Sequence, residues 1–278
     1  MTEISAEMVK QLREATNVSM MECKRALVEA GGDMAKATKL LRERGMAVAA
    51  KKASRAANQG LLASAAAEGG KVLSLVEVNC ETDFVARNAG FIAFVKTVAE
   101  AACQTDTSLA ESVKDQVVAK VTELGENILV RRNLRYVLSG TGALASYIHL
   151  GGKVGVLVEL GAGKDATTAQ DAFKDLIKDL TLHIAACSPK CLAAAQVPAA
   201  DVAAEREIYA KQVKDKPPQI IDKIVDGKMK KYYSEVCLLE QPFVKEAKQT
   251  VSALLAEKGK ALGDTLTIRR FVRYQLGE

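Results

Sequence analysis

Histidine is nearly absent. With His149 and His183 alone in 278 residues, ordinary histidine-based acid–base or nucleophilic catalysis has little material. No Walker-type phosphate loop, no glycine-rich dinucleotide loop and no GxSxG motif occurs. Tryptophan is missing and aromatics make up 4%, while abundant alanine favours helix. No apolar run approaches the ~20 residues that span a bilayer. Met1-Thr2-Glu3 begins no basic and apolar leader. The six cysteines (Cys23, Cys80, Cys103, Cys187, Cys191, Cys237) form no regular framework, so reduced thiols in a cytoplasmic protein are expected. Charge of neither sign dominates: 39 basic against 34 acidic residues leave +5, too mild to mark a nucleic-acid surface by itself. What remains is ordinary globular composition, 49% hydrophobic and 26% charged, with length for about two domains.

The first fifty residues read as a three-helix module. Ser5 can cap a helix carrying Met8, Val9, Leu12 and Ala15. Ser19-Met20-Met21-Glu22 has the capping-box spacing and opens a second helix, with Cys23, Ala26, Leu27 and Ala30 inward and Gly31-Gly32 as its stop. Asp33 caps a third, with Ala37, Leu40 and Leu41, expected to end near Gly45. Met20 and Met21 are consecutive, so a module this small cannot easily bury both: either one is offered to a partner, or both cover the edges of the core. Residues 46–59, with Lys51, Lys52 and Arg55 among alanines, read as a basic connector.

The rest of the chain repeats itself. Leu62-Ala63-Ser64, Gly69-Gly70-Lys71-Val72 and Leu75-Val76-Glu77 recur as Leu144-Ala145-Ser146, Gly151-Gly152-Lys153-Val154 and Leu157-Val158-Glu159, all at an offset of 82. Each copy reads as strand, glycine turn needing positive φ, strand, corner, helix. The ends match too: Gly125-Glu126, Arg131-Arg132 and Arg135-Tyr136 against Gly263-Asp264, Arg269-Arg270 and Arg273-Tyr274, at an offset of 138. The second copy therefore holds 56 additional residues. They read as two helices, one with Val202, Ile208, Tyr209 and Val213, the other with Ile220, Ile221, Ile224, Val225, Met229, Tyr232 and Val236. Lys214-Asp215-Lys216-Pro217-Pro218 separates them into an antiparallel, coiled-coil-like hairpin that would dock on another surface or on a second copy of the chain.

Between strand and helix in the first copy stands Thr82-Asp83-Phe84-Val85, where chains tend to present working residues. Phe91, Phe94, Val95, Val98 and Ala102 follow on one helical face. Phe84 has two readings: a ring folded inward to close the sheet, or a ring offered outward. The second copy has Lys164-Asp165-Ala166-Thr167 there, so the corner itself does not require the ring.

His183, Cys187 and Cys191 fall at i, i+4, i+8, but Pro189 interrupts the helix, and a packed helix end is expected rather than a metal site. The clusters Arg131-Arg132-Arg135 and Lys228-Lys230-Lys231 have acidic neighbours and read as solvated faces.

Met20-Met21-Glu22-Cys23-Lys24-Arg25-Ala26-Leu27, Val78-Asn79-Cys80-Glu81-Thr82-Asp83-Phe84-Val85-Ala86, His183-Ile184-Ala185-Ala186 and Gln241-Pro242-Phe243-Val244 together make a chain that resembles the bacterial elongation factor Ts family, nucleotide exchange factors of elongation factor Tu. The resemblance implies an α+β protein. Its parts would be an N-terminal three-helix domain resembling ubiquitin-associated domains over 1–53 and a duplicated core with small antiparallel sheets over 54–140 and 141–278. The inserted hairpin would lie at about 195–240. It further implies that Thr82, Asp83, Phe84 and Val85 bind the partner's G domain and dislodge its Mg²⁺. By the same resemblance Leu12, Met20, Met21 and Lys24 would touch that domain, Leu124 and Gly125 would support the contact, and His149 and Val244 would face the partner. No metal site, cofactor, enzymatic reaction, membrane or direct nucleic-acid contact is expected. Family members often continue into a C-terminal helical module; this sequence stops at Gly277-Glu278, so contacts of that module would be absent or replaced. Two other classes stand beside this one: an RNA- or ribosome-binding module, from the pI of 8.8 and the basic connector, and a thiol or metal enzyme, from the cysteines alone.

Overall fold

The computed structural model describes residues 4–16, 18–105, 109–213 and 217–278. Of the sequence reading, Met1-Thr2-Glu3 and the breaker residues 214–216 lie outside these. In chain order, α1 (Ala6–Thr16), α2 (Met20–Glu29) and α3 (Met34–Lys52) come first. The first repeat is β1 (Gln59–Ala67), β2 (Val72–Cys80), α4 (Asp83–Ala86), α5 (Ala89–Ala102), α6 (Leu109–Ser112), α7 (Lys114–Leu124) and β3 (Leu129–Val137). The second is β4 (Gly142–His149), β5 (Val154–Gly161), α8 (Asp165–Thr168) and α9 (Asp171–Cys187). Next come α10 (Ala199–Gln212), α11 (Pro218–Val236), β6 (Pro242–Phe243), β7 (Glu246–Thr250), α12 (Val251–Leu262) and β8 (Thr267–Gln275).

The three N-terminal helices share a core of Val9, Leu12, Cys23, Ala26, Leu27, Ala37 and Leu41. Ser19 and Asp33 cap α2 and α3 through the backbone N–H groups of Glu22 and Lys36. The capping box at α2 is one-sided, for the Glu22 carboxylate pairs with Arg25 at 2.8 Å. The expected stop at Gly45 does not occur, and α3 runs on to Lys52. Gly45 instead marks a close approach to α7: a Cβ there would stand 2.9 Å from Thr122 Oγ1. Arg42 and Asp115 pair across the same contact.

The repeats build matching three-stranded antiparallel sheets, β1-β2-β3 and β4-β5-β8. The first glycine turn has positive φ at Glu68, Gly69 and Gly70, the second at Leu150, Gly151 and Gly152. Each central strand is wholly buried, and each sheet slips register at the equivalent place, Glu77/Val78 and Glu159/Leu160. Phe91, Phe94, Val95 and Val98 of α5 cover one sheet; Phe173, Leu176, Ile177 and Leu180 of α9 cover the other.

Between the sheets lies a third core of Leu73, Leu75, Tyr136 and Leu157. Ser64 Oγ donates to its own repeat partner, Ser146 Oγ, at 3.0 Å, so the two halves meet about an approximate two-fold axis. Arg132, expected on a solvated face, is structural here, as is its repeat counterpart Arg270. Arg132 Nε donates to the buried Glu77 carboxylate at 2.7 Å and Arg270 Nε to the buried Glu159 carboxylate at 2.6 Å. Each guanidinium then reaches into the other repeat: Arg132 lies 4.0 Å over the Tyr274 ring and Arg270 4.1 Å over Tyr136. A carboxylate excluded from water needs such charge-assisted bonds. That need overrides the preference of arginine for the surface.

Candidate functional site

The corner after β2 is a four-residue helix held from two sides. Thr82 takes extended φ/ψ and its Oγ1 accepts from the Val85 N–H at 3.3 Å, as a threonine N-cap does. Glu126, just past α7, grips the same turn. Its carboxylate accepts from the N–H groups of Glu81 and Thr82, each at 3.0 Å, and from Thr82 Oγ1 at 2.5 Å. Glu81 answers by accepting from Asn127 N–H at 2.7 Å. Asn127 Nδ2 donates to Arg55 O at 2.7 Å, and Lys52 Nζ donates to Gly125 O. The end of α3 is thus tied to the same loop, and Lys52 and Arg55 of the basic connector are engaged within the chain.

The second repeat builds its corner alike. Asp264, the counterpart of Glu126, accepts from Gly163 N–H at 3.0 Å, Lys164 N–H at 3.0 Å and Thr167 Oγ1 at 2.6 Å. The Thr167 hydroxyl, with the backbone N–H groups, holds the Asp264 carboxyl below its usual range. Ala166, in the place of Phe84, is exposed.

On this frame Phe84 is 82% exposed, the largest exposure among the exposed large hydrophobics of the described residues. A whole aromatic ring in water is the unusual feature of the surface. Of the two readings of Phe84, the inward one is excluded: Ala86, not Phe84, joins the core beneath the sheet. Asp83 pairs with Arg87 at 3.0 Å on the same turn. Val85 is half-buried against the core below. Beside the corner, between α4, α5 and the β4–β5 turn, opens a cavity of about 690 Å³ lined by Asp83, Arg87, Ile92, Lys96, Ile148 and Leu150 among others. Burial pushes the neighbouring Cys80 thiol up to about 11, so it is no nucleophile at neutral pH.

The other expected contact residues scatter. Met20 and Met21 are both exposed, 42% and 62%, at the start of α2, and Lys24 is exposed on the next turn. Leu12 corrects the expectation: its side chain is fully buried in the three-helix core, so it shapes the module and presents nothing outward. Gly125 is the left-handed C-cap of α7, and Leu124 packs on the core behind it. His149 ends β4, its Nδ1 2.8 Å from Tyr147 Oη. Val244 is exposed, and its N–H donates to His183 Nδ1 at 3.1 Å.

His183 itself is a core residue, with Nε2 3.0 Å from Gln241 Oε1. Burial lowers its pKa. No cluster of three or more His, Cys, Asp or Glu side chains able to hold a metal ion occurs among the described residues. Nor is any described helix long and apolar enough to cross a membrane. Sequence reasoning does not single out Glu126, although the matched pair Gly125-Glu126 and Gly263-Asp264 carries a signal for it.

A family model described as "Elongation factor TS" matches residues 81–278, beginning at the corner. Curated relatives share nearly the whole chain. "Elongation factor Ts" of Nitratidesulfovibrio vulgaris (strain DP4) is 43% identical over 277 residues, covering 99% of this chain and 96% of the relative. That of a Nitratiruptor species is 44% identical over 287, covering 99% and 93%. That of Symbiobacterium thermophilum is 43% identical over 284, covering 100% and 93%.

Proposed function

The chain belongs to the elongation factor Ts family and is a translation elongation factor, and from that premise we propose that it drives nucleotide exchange on elongation factor Tu in the cytoplasm. The observation that carries the reading is the Phe84 ring, 82% exposed on a corner that the sister repeat builds with alanine. An exposed ring costs a protein solubility and is worth keeping where a partner buries it.

The mechanism is one of linkage. A nucleotide held at nanomolar affinity is bound by about −12 kcal/mol. Mg²⁺, bridging its phosphates to the GTPase, supplies part of that. A protein that binds the Mg²⁺-free, nucleotide-free shape more tightly weakens the nucleotide by the same factor, because coupling is reciprocal. In this reading Phe84 wedges between G-domain elements, and Asp83, held by Arg87, supplies a carboxylate to the altered arrangement. Thr82 and Glu126 keep the turn from yielding as the wedge is driven in. Met20, Met21 and Lys24 give a second contact through the N-terminal module, and His149 and Val244 a third from the second repeat. The reading needs no covalent chemistry.

Stopped-flow release of fluorescent GDP from elongation factor Tu tests it. Phe84→Ala is expected to fold as the wild type by circular dichroism and to lose at least tenfold in stimulated release, about 1.4 kcal/mol of coupling. Release at the wild-type rate refutes the wedge.

A further inference from the structure

The pair α10–α11 joins the body through two short segments, one following α9 and one leaving α11. They meet as a parallel bridge between Cys191 and Cys237, closed by Cys191 N–H to Val236 O at 3.2 Å and Leu238 N–H to Cys191 O at 2.9 Å. Among the described residues α10 and α11 pack on each other, and neither packs comparably on any other element. The bridge therefore lies at the base of the helical pair. At that point two thiols face one another, Sγ to Sγ at 3.5 Å.

We propose that Cys191 and Cys237 form a reversible thiol–disulfide site that locks together the two segments at the base of the helical pair. Bridged neighbours stand about 4.8 Å apart, inside the roughly 4.4–6.8 Å between Cα atoms that a disulfide spans. Cys191 is half-buried and Cys237 fully buried, so an oxidant meets Cys191 first. Burial pushes the Cys237 thiol up to about 12, so it does not open the sequence; it reacts only with the Cys191 sulfur 3.5 Å away, passing its proton to the departing oxygen as it attacks. Cys187 ends α9, its Sγ 3.6 Å from Nδ1 of His183 one turn earlier. Cys23, Cys80 and Cys103 are buried elsewhere.

With a peroxide the steps balance. The Cys191 thiolate attacks one peroxide oxygen; an S–O bond forms, the O–O bond breaks, and the leaving hydroxide takes up the proton the thiol gave. Cys237 Sγ then attacks Cys191 Sγ; the S–S bond forms, the S–O bond breaks, and the oxygen leaves as water with the Cys237 proton. Two thiols are oxidised and one peroxide is reduced to two waters. Glutathione disulfide reaches the same product through a mixed disulfide and releases two glutathione thiols. In a reducing compartment such a pair stays open at rest and closes under oxidative load.

The site does not depend on the exchange reading, and its test does not use exchange. The full-length chain is titrated with hydrogen peroxide or glutathione disulfide, alkylated, and mapped by mass spectrometry without reduction. The expected product is a monomer lighter by two hydrogens, with Cys191 and Cys237 in one linked peptide pair, restored by dithiothreitol. Cys191→Ser and Cys237→Ser each abolish it and Cys187→Ser leaves it. Amide exchange in α10 and α11 slows in the linked form. The proposal falls if the folded wild type stays reduced throughout, accumulates only glutathione adducts, links other cysteines, or forms only linked dimers.

Discussion

At the scale of single residues, the candidate site rests on a division of labour. Phe84 makes no contact that the corner needs; Thr82 and Glu126 make the corner. Glu126→Ala removes an acceptor serving three donors, and bonds to a charged acceptor contribute about 1.5–3 kcal/mol each, non-additively. We expect it to lower stability by about 2–4 kcal/mol in urea unfolding, and to slow GDP release in parallel because the wedge loses its footing. Asp264→Ala removes the equivalent anchor from the second corner. It should lower the melting temperature yet leave GDP release near the wild-type rate, since no exposed ring depends on it. Equal losses of exchange from both variants would show that corner rigidity acts through global stability alone. Phe84 stands out in the sequence, but its exposure is fixed only by the fold, because burial of one ring is decided by everything around it.

At the scale of elements, local signals placed most helices and strands, and failed where packing had a stronger claim. Glycine usually ends a helix because it tolerates positive φ. Gly45 sits inside α3 for the opposite reason, the missing side chain that lets α7 come close. Gly45→Val is expected to overpack that contact, costing about 1–3 kcal/mol, and to lower the thermal midpoint, with Arg42 and Asp115 no longer able to pair. Unchanged stability would mean that the two helices separate at little cost. The basic clusters teach the same lesson. Arg131 and Arg132 looked like a charged face, yet both pair with Glu77, a distant residue that periodicity assigns to a buried strand.

At the scale of the whole molecule, two buried carboxylates and two stacked arginines tie the repeats together. Burial opposes ionisation of Glu159, but the Ser139 N–H and the guanidinium groups of Arg270 and Arg269 outweigh it, and its pKa lies below the ordinary 4.5. A lowered native pKa means that the unfolded chain binds the proton more readily. The contribution is thus complete above pH 4.5 and is lost as pH falls through the lowered native value. Melting temperature should therefore drop on acidification below about 4.5 in the wild type, and less steeply in Glu159→Gln, which starts lower. A variant with the wild-type acid slope would show that the repeat junction does not sense this proton. Arg270→Lys, which keeps charge but loses the planar stack on Tyr136, is expected to cost about 1–2 kcal/mol.

Repetition at constant offset, capping residues and alternating apolar runs are local and cumulative, so the strand, turn, strand, corner and helix that open each copy, and helices in the added segment, could be read from the chain alone. So could the oddity of a phenylalanine at a corner whose copy has alanine. Which side chains face water was settled elsewhere: Leu12 went inside, Met20 and Met21 stayed out, two arginines were drawn to carboxylates within the fold, and Cys191 came to lie against Cys237, 46 positions on. Those outcomes depend on residues distant in sequence arriving at one place, where desolvation and charge pairing, summed over all neighbours, outweigh what any single position prefers.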